Sequence, residues 1–427
     1  MREMKNSEVR WLGMIPKAWD LDKIVSLYSE RSTKVSDRDY PALSVTKQGI
    51  VPQLESAAKT DNGDNRKLIK KNDFVINSRS DRRGSCGISE YEGSCSLINT
   101  VLAPKNNMVN QYYNYLFKTE LFADEFYKWG NGIVDDLWST KWSSMKNIMV
   151  PFPPLKEQRM IADYLDIKCT QIDTIVAKEQ SVIEKLQEYK RAIITNAVVK
   201  GLDLTVEMAD SGIEWIDSIP NHWKINRLIF SAYIRARLGW KGLKADEYTS
   251  EGHPFLSAVN IQNDKLVWED LNFINDNRYD ESPEIKLELG DLLLVKDGAG
   301  IGKCAIVDQL PYGTATTNSS LGVITPYSEF NSMYLYYFFE SAIFQNYISR
   351  IKNGMGVPHL TQGNLKNIMV VIPPYCEQEA IVAYLDDKCS NLDSIILKKQ
   401  TLIDKLIEYK KSLIYEVVTG KKEVPHV

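Results

Sequence analysis

Four groups of residues in this 427-residue chain are of types that could do chemistry, and each fails at the spacing its chemistry needs. Transfer of a methyl group to a DNA amino group uses a polar side chain ahead of Pro-Pro-aromatic to hold that amino group. Here Phe152 and Ile372 precede the pairs Pro153-Pro154 and Pro373-Pro374, and an apolar side chain cannot hold an amine. The glycine run from Gly298 to Gly302 follows an apolar stretch but lacks both the GxGxxG and the GxxxxGK[ST] spacing of a phosphate cradle, so it reads as a hairpin turn. Glu284 and Lys286 form an ExK without an acidic companion. The six cysteines, at 86, 95, 169, 304, 376 and 389, contain no CxxC pair, and His222, His253, His359 and His426 show no ligand spacing. No nucleophile with a base and no metal set emerges, which leaves recognition as the task.

The elements around these residues occur twice. PPLKEQRMIADYLDIKC from Pro153 returns as PPYCEQEAIVAYLDDKC from Pro373, and VRWLGMIPKAW from Val9 is echoed by IEWIDSIPNHW from Ile213. Shared register over whole segments marks an internal duplication. Asp73 with Asp291, Gly84 with Gly302, Cys86 with Cys304 and Cys169 with Cys389 are matching positions, and matched cysteines read as small buried residues. After each Pro-Pro pair comes a helical pattern of about 40 residues, roughly 60 Å of rod. Leu165, Ile172, Ile175, Val182, Leu186 and Tyr189 in the first copy, and Leu385, Leu392, Ile395, Leu402, Leu406 and Tyr409 in the second, follow a heptad-like spacing that predicts a coiled-coil seam. Each helix is the other's natural partner, and antiparallel pairing would make the pair a ruler between two globular parts. The expected order is 1–154 globular, 155–200 helix, 201–374 globular, 375–420 helix and 421–427 tail, an α/β (α+β) architecture with pseudo-twofold repetition.

Composition agrees with a soluble, cytoplasmic protein: 44% hydrophobic and 25% charged residues, with no apolar run long enough to span a membrane. A net charge of −4 argues against a generic nucleic-acid coat. Charge is nevertheless uneven. Arg66, Lys67, Lys70, Lys71, Arg79, Arg82 and Arg83 crowd one stretch of the first copy. Lys224, Arg227, Arg235, Arg237, Lys241 and Lys244 do so in the second, without an intervening acid. One such run is ordinarily a solvated face; one per copy raises duplex DNA as the ligand. Asn77, Lys70, Lys71, Arg79, Arg82 and Arg83 in the first copy, and Arg237, Lys241, Lys244 and Lys296 in the second, are the candidate DNA contacts.

On the paired WLGMIPKAW and WIDSIPNHW openings, the ARLGWKGLKADEY, GDLLLVKDGAGIGKCAIV and INSRSDRRGSCG stretches, and the paired PP...EQ...YLD helices, the chain resembles the specificity subunit of type I restriction-modification systems over essentially its whole length. The resemblance implies a non-catalytic subunit with two target-recognition domains, each reading half of a split double-stranded DNA site. It implies that the helices dock two methyltransferase subunits, which bring S-adenosylmethionine, and that a translocating restriction subunit joins for cleavage. The competing readings are a standalone DNA methyltransferase, disfavoured by the apolar residue before Pro-Pro, and a coiled-coil scaffold that never touches DNA.

Overall fold

The computed structural model describes residues 2–53, 63–132, 138–236, 247–298, 300–353 and 359–425. The chain forms two compact units. One comprises Met1–Gln180 with Thr401–Val427, the other Ser181–Gln400. Each unit therefore takes its globular part from one repeat and helical segments from both long helices, Leu155–Lys200 and Tyr375–Val418.

The two units repeat one strand order. In the first, a four-stranded antiparallel sheet runs Cys86–Ile88, Phe74–Asn77, Asn99–Pro104, Tyr28–Glu30. In the second, Cys304–Ile306, Leu292–Val295, Leu321–Pro326 and Ala232–Arg235 do the same. Of the central strands, Leu292–Val295 is apolar and buried throughout and Phe74–Asn77 is so up to Asn77, as befits strands covered on both faces. The hairpin closing on Gly302 is the turn read from the glycine run: its N–H donates to the Val295 carbonyl, its φ is +89°, and a Cβ there would sit 2.8 Å from Ile348. Aromatic helices cover the sheets, Asn110–Phe117 and Glu120–Lys128 in one unit, Ser332–Glu340 and Ala342–Asn353 in the other.

The residues that recur in sequence are largely the pins between globular part and helix. The Trp19 indole N–H donates to Glu157 at 2.7 Å, and Trp223 to Glu377 at 2.8 Å. Gln158 accepts from the Val109 N–H and donates to the Pro153 carbonyl; Gln378 does the same with Asn331 and Pro373. Tyr115 donates to Asp166 and Tyr337 to Asp386, both at 2.6 Å. The wholly buried Gln158 and Gln378 fix register most firmly, since an unpaired buried amide costs about 1–3 kcal/mol, and the partly buried Trp–Glu and Tyr–Asp bonds add to them. Cys169 and Cys389 are buried, as their matching predicted, and burial raises both thiols.

Within each unit the helical segments run antiparallel. In the first, Lys410 pairs with Asp173, and the Val418 carbonyl accepts from Tyr112, whose ring packs edge-on against the Trp19 that holds Glu157. In the second, Lys190 pairs with Asp393, and Tyr334 donates both to Val198 and to Val371, just ahead of the second helix.

The seam differs from the predicted one. Leu165, Cys169, Ile172 and Ile183 are buried with Val176 and Leu186 half-buried, and Leu385, Cys389, Leu392 and Ile403 are buried with Leu406 half-buried. Ile175, Val182, Tyr189, Ile395, Leu402 and Tyr409 are 38–58% exposed and flank the seam instead. Adjacent apolar pairs (Ile175-Val176, Val182-Ile183, Ile395-Ile396, Leu402-Ile403) offer two registers one residue apart. The cysteines, small and apolar, select the other one.

The second unit holds one titration the first lacks. Partly buried Glu340, where the first repeat has Lys118, has its carboxyl pushed up to about 8. Burial is the main cause, the Asp264 charge adds to it, and Lys190 and Arg191 oppose it. The folded carboxyl binds its proton more tightly than the unfolded one, so stability falls as pH rises from the ordinary glutamate range through about 8. Glu340→Gln is expected to flatten that fall by about 1–2 kcal/mol after allowing for solvent screening. Denaturant midpoints at pH 5.5 and 8.5 check it, and an unchanged slope in the variant contradicts it.

Candidate nucleic-acid interface

The basic run of the first unit divides by role. Arg66 is buried, its guanidinium on the Ser94 hydroxyl and carbonyl, and Lys67 donates to the Asn99 carbonyl at 2.9 Å. Both are structural. Asp73 accepts two hydrogen bonds from Arg31, and Asp291 accepts two from Arg235, so Arg235 of the second basic run is a buried structural cation as well. The bonded carboxylate of Asp73 raises the Arg31 guanidinium above its usual range.

Lys70 and Lys71 are exposed on the turn before strand Phe74–Asn77, while Asn77 and Arg79 lie at its other end, so the structure does not gather them into one site. Asn77 accepts from the Arg79 N–H at 3.0 Å, an Asx turn that aims the chain. Arg82 is exposed in the short turn Ser80–Arg82; Arg83 pairs with Asp124 and lies over the Tyr127 ring, tied to helix Glu120–Lys128. Arg237, Lys241 and Lys244 lie outside the described residues.

What the strand end does create is an open groove of about 610 Å³. One wall is Glu30, Lys67, Ser78 and Arg79 with Leu97, Ile98 and Thr100, the Glu30 carboxylate paired with Lys67; the other is Ser139, Lys141, Trp142, Ser143 and Lys146. The walls are joined by a bridge between Arg79 and Ser139 and by the Thr140 N–H on the Ser78 carbonyl. Four cations, hydroxyls and one indole around an open trough, against the single acid Glu30 held by Lys67, suit a phosphate backbone with room for a base or sugar edge. Lys141 and Lys146 are absent from the sequence-based candidates. Lys146 recurs as Lys366 inside an anchor motif and so looked like scaffold, and Lys141 stands outside the basic run.

In the second unit Lys296 takes the place of Ser78. It is 7% exposed, its stem packs beside Gly322, and burial lowers its ammonium below the usual lysine range while Asp297 opposes that. Among the described residues there is no cluster of side chains that could hold a metal and no helix long and apolar enough to cross a membrane.

Comparison with known proteins gives one consistent result. The profile of the type I restriction modification DNA specificity domain matches residues 28–185 and again 240–406. The chain is 23% identical to the type I restriction enzyme MjaVIII specificity subunit of Methanocaldococcus jannaschii, over 84% of this chain and 81% of that one. It is 22% identical to the EcoKI specificity subunit of Escherichia coli, over 83% and 75%. Among solved structures, a chain described under complex assembly and conformational transition of the type I R-M system superposes with a TM-score of 0.72 at 12% identity, covering 96% of this chain and 99% of that one. The HsdS subunit of Thermoanaerobacter tengcongensis gives 0.51 at 14%, covering 96% and 98%.

Proposed function

The chain belongs to the type I restriction modification DNA specificity family, and we propose that each of its repeats reads one half of a split duplex DNA site while the long helices recruit the catalytic subunits. As a specificity subunit it selects sequence and performs no transfer itself. The observation that carries the division of labour is the pattern of repetition. Pins such as Trp19–Glu157 and Trp223–Glu377 are duplicated, whereas the surfaces around them differ, with Arg79 in one repeat where the other has Asp297. Equal scaffolds with unequal surfaces fit two reading heads for two different sequences.

In this reading the target-recognition domains are residues 1–154 and 201–374. Polar and cationic side chains position phosphates, and a few reach base edges. Helices 155–200 and 375–420 set the distance between half-sites and dock two methyltransferase subunits that carry S-adenosylmethionine; a restriction subunit that translocates DNA completes the nuclease. Duplex DNA is the direct ligand, and the assembly works in the cytoplasm.

Replacing residues 1–154 with those of a relative is the direct test. Assembled with methyltransferase subunits, the chimera is expected to methylate a site altered in one half and unchanged in the other, read by methylome sequencing. Alteration of both halves, or methylation by the isolated chain, contradicts the reading.

A further inference from the structure

The groove of the first unit has a counterpart of the same backbone geometry in the second, and its side chains have been exchanged almost one by one. The bridge between Arg79 and Ser139 becomes one between Asp297 and His359, and the Thr140 bond to Ser78 becomes the Leu360 N–H on the Lys296 carbonyl. Asp297, an acid, stands where Arg79 does and pairs with His359. Thr361 replaces Lys141, its hydroxyl engaged in capping helix Gln362–Lys366. Gln362 replaces Trp142 and is spent on the Ile234 carbonyl at 3.2 Å. Gly322 replaces Thr100, and the stem of Lys296 lies against it. Of the four groove cations, Lys67 is engaged by the Asn99 carbonyl and Glu30, and of the other three, Arg79, Lys141 and Lys146, only the last is matched, by Lys366.

We propose that the two units hold the DNA backbone with unequal electrostatic strength: the first clamps duplex phosphates in the Arg79–Lys141–Lys146 groove, and in the second the matching positions carry Asp297, Thr361 and the buried stem of Lys296, so its half-site is held mainly by other contacts. The inference rests on the reading of the chain as a duplex DNA binder and adds where, and on which half, the phosphate grip lies. The groove lies open to solvent and carries cations on both walls, with Glu30 neutralised by Lys67, so a phosphate in it meets positive charge from two sides. Each phosphate neutralised releases condensed counterions, which makes the asymmetry measurable as a salt slope.

The test uses the full chain and a labelled mixed-sequence duplex titrated at several salt concentrations. The triple variant R79A/K141A/K146A is expected to lower the magnitude of the slope of log affinity against log salt by about 2–3, near 0.9 for each phosphate no longer neutralised. K366A is expected to change it by about 1 or less. K141Q/K146Q, which keeps Arg79 and its bridge, guards against a folding artefact and should lower the slope by about 2. D297N, which removes the acid from the second groove, is expected to leave the slope of the first intact and bind as tightly as the parent or tighter. An equal loss from K366A and from the triple variant overturns the asymmetry. A parental slope in the triple variant, in a chain that binds duplex DNA with normal salt dependence, overturns the groove while the DNA reading stands. Absence of salt-dependent binding in the parent overturns both.

Discussion

Asp291→Ala is expected to loosen the second unit by about 3–5 kcal/mol, because it leaves the Arg235 guanidinium inside the fold with only the neutral Lys286 carbonyl and Thr325 hydroxyl and no counter-charge. Arg235 is 8% exposed and Asp291 wholly buried; they meet at 2.7 and 2.8 Å, and Asp291 also accepts from the Glu288 N–H and the Thr325 hydroxyl. Removing the acid therefore leaves one buried cation and two orphaned donors. Asp73→Ala, the matching change in the first unit, removes the partner of Arg31, which is 23% exposed and can recover water. Its expected loss is smaller, about 1–3 kcal/mol. Hydrogen exchange distinguishes the two: protection should fall in Leu292–Val295 for the first variant and in Phe74–Asn77, by less, for the second. The double variant R235M/D291L removes both charges and should recover much of the loss, as replacing a whole buried pair usually does. Equal losses at the two sites, or no rescue by the double variant, contradict this account.

This ion pair shows where sequence reading stopped. Asp73 and Asp291 were visibly matched, but Arg31 lies far from the first basic run and Arg235 inside the second, so nothing local separates a structural arginine from a DNA-facing one. Long-range pairing decides it, and pairing is a property of the folded sheet: strand Asn99–Pro104 lies between Tyr28–Glu30 and Phe74–Asn77 and brings Arg31 across to Asp73. What was legible had a short-range cause. The long helices, their Pro-Pro starts and the hairpin at Gly302 follow from period, missing backbone N–H groups and a left-handed turn. The seam register was ambiguous because four apolar pairs stand side by side, and only tertiary burial of Cys169 and Cys389 breaks the tie. The groove escaped because its lysines come from a segment that the repeat marks as scaffold.

The side chains displaced from the seam lead to the second large effect, loss of methylation without loss of DNA binding. The first unit exposes Ile175, Leu402 and Tyr409, and the second exposes their repeat equivalents Ile395, Val182 and Tyr189. Each set stands at one flank position of the heptad. In an antiparallel pair the same flank position of both helices falls on the same side of the seam, so each unit presents an apolar face where a solvated helix would carry charge. Two equal faces fit two copies of one partner, and under the function proposed above that partner is the methyltransferase subunit. Val182→Asp with Tyr189→Asp is expected to remove one methyltransferase copy, and Leu402→Asp with Tyr409→Asp the other, because a carboxylate buried against an apolar partner surface goes unpaired. Each pair should weaken its own contact by about 100-fold, and the four changes together should abolish site-specific methylation. The positions are already exposed, so the chain should still fold and still bind duplex DNA with the parental salt slope. Native mass spectrometry of the mixed subunits reads the stoichiometry directly, and two methyltransferase copies bound at parental affinity to the fourfold variant would show that these faces serve another purpose.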